Sequence, residues 1–463
     1  MSTSAPTTLG QLKQSGYRPR SIKDELRENL TEALKTNRPL FPGLVGFDKT
    51  VVPQLINAIL ARHDLILLGL RGQAKTRLAR MLVSLLDEQV PILPGLPLNE
   101  DPMAPISDAG RARVAEQGDD TPIEWLDRDR RYGEKLATPD VSMADLIGDI
   151  DPIKAANLRL DYASPEVIHY GIIPRTNRGI FCVNELPDLS PRIQVGLLNI
   201  LQERDIQIRG FPVRIEMDVL LVFTANPEDY TNRGSIITPL KDRIQSQILT
   251  HYPRRVEEAM KITDHEAWVA RPGGVGVHVP QFCKKIVEQV AFCARQSEFL
   301  DQSSGVSARL PISLMESVIS NAERRGLMTG EPMVSVRPID FQQAICAFTC
   351  KVELVYQGEQ EGAANVARHL VGRAVRSVAD ESLPQLDSDS SDRDTGPLSL
   401  EEEDSSGQAP EVFGEYQKIV DHFSAGHRLE LADIEPRGRT FEALSAVPGL
   451  EELARRCVPM ENV

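Results

Sequence analysis

The residues with the clearest chemical potential form a short glycine-rich run in the first quarter of the chain. Residues Gly69–Thr76 read Gly-Leu-Arg-Gly-Gln-Ala-Lys-Thr and directly follow the apolar run Asp64–Leu68. Successive backbone N–H groups in such a loop, backed by the N-terminus of a helix, form a concave anion site. The spacing fits the pattern G-x-x-x-x-G-K-[ST], except that Ala74 stands where the second glycine is expected. The run therefore predicts a phosphate-binding loop with a mild departure at one position.

The lysine and threonine at the end of this run predict ATP and Mg²⁺ as cofactors. We expect Lys75 to reach the β- and γ-phosphates and the Thr76 hydroxyl to ligate Mg²⁺. Gly69, Gly72 and Ala74 are expected to contribute to nucleotide binding as parts of the same loop. The alternative is a chance glycine-rich turn with a solvated lysine, which the strand–loop–helix context disfavours.

Two further apolar runs end in polar side chains. Ile180–Val183 is followed by Asn184 and Glu185, and Val219–Thr224 is followed, after one alanine, by Asn226. Runs that are apolar on both faces are typical of covered parallel strands. Ligands of open α/β sheets collect beyond the carboxyl ends of the strands. These runs therefore predict an α/β fold with a parallel sheet and a polar site at one edge.

Together these motifs resemble those of the AAA+ ATPases, and more narrowly the branch with a helix-2 insert that includes the magnesium chelatase ATPase subunit and the MoxR proteins. The resemblance implies that Glu185 polarises the attacking water. It also implies that Asn184 stands where the family has a metal-holding aspartate, and so keeps an oxygen but loses the charge. Asn226 matches the sensor-1 residue that orients this water. Leu240–Ile244 resembles the segment whose arginine, here Arg243, is the finger that reaches the neighbouring subunit's nucleotide.

Weaker resemblances involve four other parts of the chain. Arg309, in Ser-Ala-Arg-Leu-Pro, resembles the sensor-2 arginine, with a solvated cap residue as the alternative. Gly46, in Leu-Val-Gly-Phe, resembles the segment that packs on adenine, with a plain turn as the alternative. Asp140–Asp151 with Gly171–Arg178 resembles the helix-2 insert, and Ile206–Ile215 resembles the pre-sensor-1 hairpin. A scaffold role is the alternative for the insert and the hairpin.

Composition and pattern divide the chain into five predicted segments. The run from Asp380 to Asp404 contains ten acidic residues and only one arginine, so it is predicted to be a linker too polar to fold. Residues 94–131, rich in Pro, Gly and Asp, are expected to form a loop. The predicted segments are an N-terminal arm (1–40), an α/β nucleotide-binding core with insert and hairpin (41–252), a helical lid (253–379), the acidic linker (380–411) and a small helical C-terminal segment (412–463).

Bulk properties exclude several classes of protein. The net charge of −15 argues against a protein coated in nucleic acid, because phosphate binding needs clustered Lys and Arg. The six cysteines form no CxxC pair and do not suggest a disulfide framework. The N-terminal sequence lacks an apolar signal region, and no apolar run is long enough to span a membrane. We therefore expect a cytoplasmic protein with no membrane or nucleic-acid partner.

The resemblance implies a ring motor that hydrolyses ATP and remodels or activates a partner protein. A finger supplied in trans leaves one subunit incomplete, so a homo-oligomeric ring, a hexamer in the family, is expected. In the chelatase branch the partner carries a von Willebrand factor A domain. Ala74 and Asn184 leave a rival open, a nucleotide-binding switch or scaffold with little hydrolysis. A transcription activator of the sigma-54 type is a third hypothesis, disfavoured because the sequence has no GAFTGA loop and no helix-turn-helix pair is predicted.

Overall fold

The computed structural model of the protein describes residues 5–151, 153, 157, 167–208, 214–227, 234–383 and 416–457. The chain forms two compact units, Met1–Tyr252 and Pro253–Val463. Among the described residues, no helix combines the length and the apolar character needed to cross a membrane.

A five-stranded parallel sheet organises the first unit. In chain order its strands are β1 (Leu65–Leu68), β2 (Tyr132–Leu136), β3 (Gly179–Asn184), β4 (Val219–Ala225) and β5 (Ser246–Leu249). Their order across the sheet is β5-β1-β4-β3-β2, and every neighbouring pair is parallel. The predicted α/β fold is confirmed. The sequence predicted β1, β3 and β4 but missed the two edge strands, which are only partly buried and carry polar residues.

Helices cover both faces of this sheet. Leu65 and Leu67 of β1 point into one apolar core, whereas Ile66 and Leu68 point into the other, as the period of two along a strand requires. The helices of this unit are Leu9–Gln14, Ile22–Lys35, Val51–Leu60, Lys75–Met81, Asp108–Gln117, Met143–Leu146, Ile172–Arg175, Pro191–Gln202 and Thr238–Arg243, with 3-10 turns at Leu82–Leu85, Gly118–Asp120, Arg128–Arg131 and Leu186–Asp188.

The predicted N-terminal arm is part of this core. The Ser21 hydroxyl accepts a hydrogen bond from the backbone N–H of Asp24 and so caps the helix Ile22–Lys35. Leu26 and Leu30, four residues apart, are buried against the sheet. The Glu25 carboxylate accepts two hydrogen bonds, at 2.7 and 2.6 Å, from the buried Arg131 guanidinium. The prediction of a separate arm is therefore corrected, because its apolar face and its buried ion pair bind it to the sheet.

The predicted loop at 94–131 also has regular structure. It contains the helix Asp108–Gln117, and its strand Glu124–Asp127 pairs antiparallel with Gln89–Ile92. The Ser107 hydroxyl caps the helix, which is nearly polar all round and so gives no apolar periodicity in the sequence.

In the sequence, the predicted insert precedes β3 and the predicted hairpin follows it. Asp205–Gln207 pairs antiparallel with Arg214–Glu216, as predicted for the hairpin; its tip, residues 209–213, lies outside the described residues. In the insert, Gly148–Ile150 pairs antiparallel with Ile168–Tyr170, beside the short helix Met143–Leu146. Most of residues 152–166 also lie outside the described part of the chain.

The second unit is mostly helical. The helical pattern that follows Pro311 in the sequence predicts a helix, which is present as Arg309–Thr329. A similar pattern predicts one helix from Pro338 to Tyr356. That prediction is wrong, because the chain forms two short helices and Leu354 then makes a β-bridge with Leu300. The helices are Val256–Glu266, Gln281–Arg295, Arg309–Thr329, Asp340–Gln343, Cys346–Thr349, Tyr356–Glu361, Ala363–Ser382, Gln417–Ser424, Arg437–Ser445 and Leu450–Cys457, and a small parallel pair joins Gly276–His278 to Met333–Ser335.

The predicted acidic linker begins inside a helix. Asp380 and Glu381 belong to the last turn of Ala363–Ser382, and the rest of the linker, from residue 384 onward, lies outside the described residues. The described part of the C-terminal segment, residues 416–457, contains three helices.

Candidate functional site

Three neighbouring strands of the sheet bring the predicted site residues to one edge. Strand β4 lies between β1 and β3, with Leu68 paired to Ala225 and Phe223 paired to Val183. Because the strands are parallel, the segments that follow them emerge at the same edge. The glycine-rich loop, Asn226 and Glu185 therefore start from adjacent strand ends, although they are far apart in sequence.

The loop Gly69–Thr76 is folded around its own lysine. The ammonium group of the buried Lys75 donates hydrogen bonds to the backbone oxygens of Gly69 and Leu70, the latter at 3.1 Å. Gly72 has a φ of +72°, which favours glycine. These contacts hold the cation beside the first turn of the helix Lys75–Met81.

Close approach of β5 explains why a glycine begins this loop. A Cβ at Gly69 would lie 1.9 Å from the Thr250 hydroxyl oxygen and 2.2 Å from Oε1 of Gln73. The Thr250 hydroxyl donates hydrogen bonds to the Leu68 carbonyl at 3.1 Å and to Gln73 Oε1 at 2.9 Å. Thr250 was not among the predicted site residues, because it follows the polar edge strand β5, which the sequence pattern did not predict.

Ala74 adopts a left-handed conformation, with φ 57° and ψ 18°. An L-residue in this region is strained by roughly 1–2 kcal/mol because its Cβ crowds the backbone. The backbone at this position thus has a conformation that suits the glycine expected by the motif, and only the residue type differs from the motif.

A hydrogen-bond relay joins the loop to the ends of β3 and β4. The Thr76 hydroxyl donates to Asn184 Oδ1 at 3.2 Å, and the Thr224 hydroxyl donates to the same oxygen at 3.3 Å. Thr224 also accepts a hydrogen bond from the backbone N–H of Glu185 at 3.0 Å. The two residues predicted to hold a metal, Thr76 and Asn184, are therefore in contact. Thr224 was not among the predicted site residues, although it lies at the carboxyl end of a predicted strand.

Glu185 leaves the strand in a strained conformation. Its φ of 57° and ψ of 51° lie in the left-handed region, which few non-glycine residues adopt. Strain of this kind collects at functional sites, where the surrounding structure over-determines the backbone. The backbone strain, the half-buried position and the hydrogen bond from its backbone N–H to Thr224 together make Glu185 a candidate functional residue.

Asn226 is a buried polar side chain with unused hydrogen-bonding capacity. Its side chain is 4% exposed, and Oδ1 has no hydrogen-bond partner among the described residues. A buried acceptor without a partner costs about 1–3 kcal/mol. The orphaned oxygen at the edge where the loop lies fits a ligand or a water held there.

The Cys182 thiol beneath this edge is excluded as a nucleophile. Burial raises its pKa to about 12, so the thiol stays protonated at neutral pH. Within the described residues, moreover, no three His, Cys, Asp or Glu side chains converge in a way that suits a metal ion.

The segment around Gly46 is connected to the loop by residues that follow β5. Gly46 has a φ of +80°, and the neighbouring Phe47 ring packs edge-on against His251, with ring centroids 5.0 Å apart. Next to His251, the Tyr252 hydroxyl donates to the Arg71 backbone oxygen at 2.7 Å. The segment predicted to pack on adenine is thus connected to the loop by two adjacent residues.

The two predicted arginines belong to different units of the chain. The Arg243 guanidinium donates to Gln202 Oε1 at 2.8 Å and to the Pro239 carbonyl at 2.9 Å, so it is held at the end of its own helix. Arg309 is exposed at the start of the helix Arg309–Thr329 in the second unit.

Comparisons with known proteins give one family match. A family model described as the Sigma-54 interaction domain matches residues 162–249, and no curated protein matches the chain. A solved structure of a proposed ATPase from Cytophaga hutchinsonii is 15% identical, with 79% of this chain and 98% of that chain covered and a TM-score of 0.32. The complex between subunits BchI and BchD of magnesium chelatase is 18% identical, with 70% and 99% covered and a TM-score of 0.36. NtrX from Brucella abortus in complex with ATP is 14% identical, with 75% and 72% covered and a TM-score of 0.35. Likenesses this distant do not indicate function.

Proposed function

We propose that this chain, an AAA+ protein by its ordered motifs and its parallel P-loop sheet, binds and hydrolyses ATP as a ring motor that remodels or activates a partner protein. The observation that carries the proposal is the edge where three adjacent strands end. There the lysine-bearing loop, the strained Glu185 and the orphaned Asn226 oxygen occur together.

The residues present fit a nucleotide. The Gly69–Thr76 loop offers backbone N–H groups and a helix N-terminus to phosphates, and Lys75 supplies the cation. When bound, ATP supplies the phosphoanhydride bond and the leaving group for phosphoryl transfer. In the proposed mechanism Glu185 would polarise a water and accept its proton, and Asn226, whose Oδ1 lacks a partner among the described residues, would offer that water a second hydrogen bond. Catalysis then rests on orientation and on neutralising charge.

The metal site is the weakest part of this fit. Thr76 and Asn184, whose side chains are in contact, would supply two oxygen ligands, in accord with the preference of Mg²⁺ for oxygen. The amide of Asn184 lacks the negative charge of a carboxylate. Mg²⁺ would therefore depend mainly on the phosphates and on water, and we expect a high Mg²⁺ requirement.

The ring, a hexamer in the family, is proposed because the resemblance assigns Arg243 to a neighbouring subunit's site, and its guanidinium is bound in its own chain by Gln202 and Pro239. An arginine from a neighbouring subunit would complete each site by stabilising charge in the transition state. The insert and the hairpin, which precede and follow β3 in the sequence, are the elements proposed to act on the partner. A partner with a von Willebrand factor A domain is the form that the chelatase-like branch implies.

A nucleotide-dependent switch with little hydrolysis is the second candidate function. It is favoured by the strained Ala74 and by the uncharged Asn184. The family-model match over residues 162–249 also keeps a sigma-54 transcription activator as a third candidate. The absence of a GAFTGA sequence from the chain counts against it.

Steady-state phosphate release across a series of protein concentrations separates the motor from the switch. A motor gives turnover per chain that rises with concentration and is lost in Glu185→Gln, whereas ATP binding persists in that variant. For the variant Arg243→Ala, which removes the proposed finger, Arg255→Ala is the matched control, because Arg255 is also an arginine but is exposed and paired with Glu257. Tight ATP binding without phosphate release in the parent chain would favour the switch.

Mixing two inactive variants tests whether the finger acts in trans. Lys75→Ala removes the phosphate cation of its own site, and Arg243→Ala removes the proposed finger for a neighbour's site. At mixed interfaces an intact site receives an intact arginine, so an equimolar mixture should regain a substantial fraction of parental turnover. A mixture as inactive as either variant alone would contradict the proposed ring site.

A further inference from the structure

Polar residues of the second unit bind part of the chain's own C-terminal segment, Asp433–Arg437. The Asp433 carboxylate accepts hydrogen bonds from the Arg324 guanidinium at 2.7 Å and from the Asn321 amide at 3.2 Å. Both of these residues lie on the helix Arg309–Thr329. An acidic side chain of the C-terminal segment is therefore bound by a cation and an amide of the helical unit.

Two more contacts continue along the same segment. The Arg337 guanidinium donates to the backbone oxygen of Glu435 at 3.4 Å. The backbone N–H of Arg437 donates to the Glu331 carboxylate at 2.9 Å. We call the four receiving residues, Asn321, Arg324, Glu331 and Arg337, the acidic-segment groove.

A buried ion pair next to the groove orients two of the groove residues. Asp340 is fully buried and pairs with the buried Arg325 guanidinium. The same carboxylate accepts hydrogen bonds from the Asn321 amide at 2.8 Å and from the Arg337 backbone N–H at 2.7 Å. Two of the four groove residues are therefore oriented by the core, which lowers the entropy lost when a ligand binds.

Two buried polar atoms, one on the C-terminal segment and one beneath the groove, are left without hydrogen-bond partners in the described part of the chain. They are Oε2 of Glu435 and Nε of Arg325. Burial and the nearby Arg325 charge lower the pKa of Arg337, which means that its cation gains from each additional carboxylate nearby. A ligand with better-placed carboxylates would therefore bind more favourably than the segment that occupies the groove.

We propose that the acidic-segment groove is a binding site for an acidic peptide segment of a partner protein, and that Asp433–Arg437 is a built-in competitor for it. The recognised chemistry is an aspartate whose carboxylate binds Arg324 and Asn321, followed two residues later by a second carboxylate close enough to act electrostatically on Arg337, as in Asp433-Ile-Glu435. Since the competitor belongs to the same chain, the partner binds only when its affinity or local concentration exceeds that of the tethered segment. This site is independent of the proposed ATP chemistry.

The test uses the full chain and a fluorescent synthetic peptide with the sequence of residues 428–440. Asp433→Arg should release the tethered segment and open the groove. Effective concentrations of tethered groups are on the order of mM, so opening should strengthen peptide binding about tenfold or more for a peptide whose Kd is near 100 μM. Fluorescence anisotropy measures the binding.

Two further variants control this experiment. Asp421→Arg makes the same charge change on the C-terminal helices, where Asp421 accepts a hydrogen bond from Gln417, and it should leave peptide binding at the parental level. Arg324→Glu combined with Asp433→Arg restores an ion pair of reversed polarity and should close the groove again. Circular dichroism confirms that each variant is folded.

Equal peptide binding by the parent and Asp433→Arg chains, or binding by neither, would overturn the proposal. Self-association of the parent that disappears in Asp433→Arg would also overturn it, because the occupant would then be the segment of a second copy.

Discussion

Replacing Ala74 by glycine tests whether the left-handed conformation of the phosphate loop is a real cost. Alanine at a positive φ is less stable than glycine by about 1 kcal/mol once backbone entropy is included. The Ala74 methyl group is half-buried against the core, so its removal lowers the free energy of unfolding by roughly 0.4 kcal/mol. The net expectation is a gain of about 0.5–1 kcal/mol in the free energy of unfolding of the first unit.

Ala79→Gly is the matched control, five residues further along the same loop and helix. Ala79 is fully buried within the helix Lys75–Met81. There glycine loses helix propensity and a packed methyl group, so we expect a loss of about 1–2 kcal/mol. The same substitution should thus have opposite signs at the two positions, separated by about 2 kcal/mol in total.

Tryptophan fluorescence during urea denaturation provides the assay. The chain has two tryptophans, and in a Trp268→Phe background Trp125 alone reports on the first unit. The loop already has the left-handed geometry, so Ala74→Gly should change the Kd for ATP by less than about threefold. A loss of stability in Ala74→Gly comparable to that in Ala79→Gly would refute the reasoning.

Three other substitutions have expected outcomes. Asn184→Asp adds a carboxylate beside Thr76 and should lower the Mg²⁺ concentration for half-maximal phosphate release severalfold; an unchanged requirement would mean that this position does not help to hold the metal. Gly69→Ala forces a Cβ to within 1.9 Å of the Thr250 hydroxyl, so it should lower the free energy of unfolding by about 1–3 kcal/mol and weaken ATP binding. The control Gly372→Ala has open space around its new Cβ and should not destabilise the chain. Burial raises the pKa of Glu288 to about 7 in the folded chain, above the ordinary value of 4.5. Between these two values the folded second unit keeps the proton that the unfolded chain loses. Its free energy of unfolding should therefore fall by about 3 kcal/mol as pH rises from 4.5 to 7. Glu288→Gln should abolish that part of the pH dependence in thermal melts; an identical pH profile would show that the carboxyl is not the cause.

Local pattern in the sequence was enough to predict the three central strands and the glycine-rich turn Gly69–Thr76 between a strand and a helix. The loop is contiguous, so its glycines, lysine and threonine are brought together by the chain itself. Strands β1, β3 and β4 are buried on both faces, and their continuous apolar runs give a strong signal. The polar residues after them were predictable as strand-end residues for the same reason.

The tertiary structure decided which of these segments meet. Thr224 joins Asn184 to the backbone of Glu185 only because β4 lies beside β3, and Thr250 restricts Gly69 only because β5 lies beside β1. Neither adjacency follows from the order of the strands in the sequence.

The same reasoning accounts for what the sequence could not provide in the second unit. Asp433 binds Arg324 across 109 residues, and short polar segments give no periodic signal of such a contact. Local sequence fixes the preferences of a segment through sterics and apolar periodicity. Hydrogen bonds and ion pairs between distant residues depend on where each element packs, and only the folded chain specifies that.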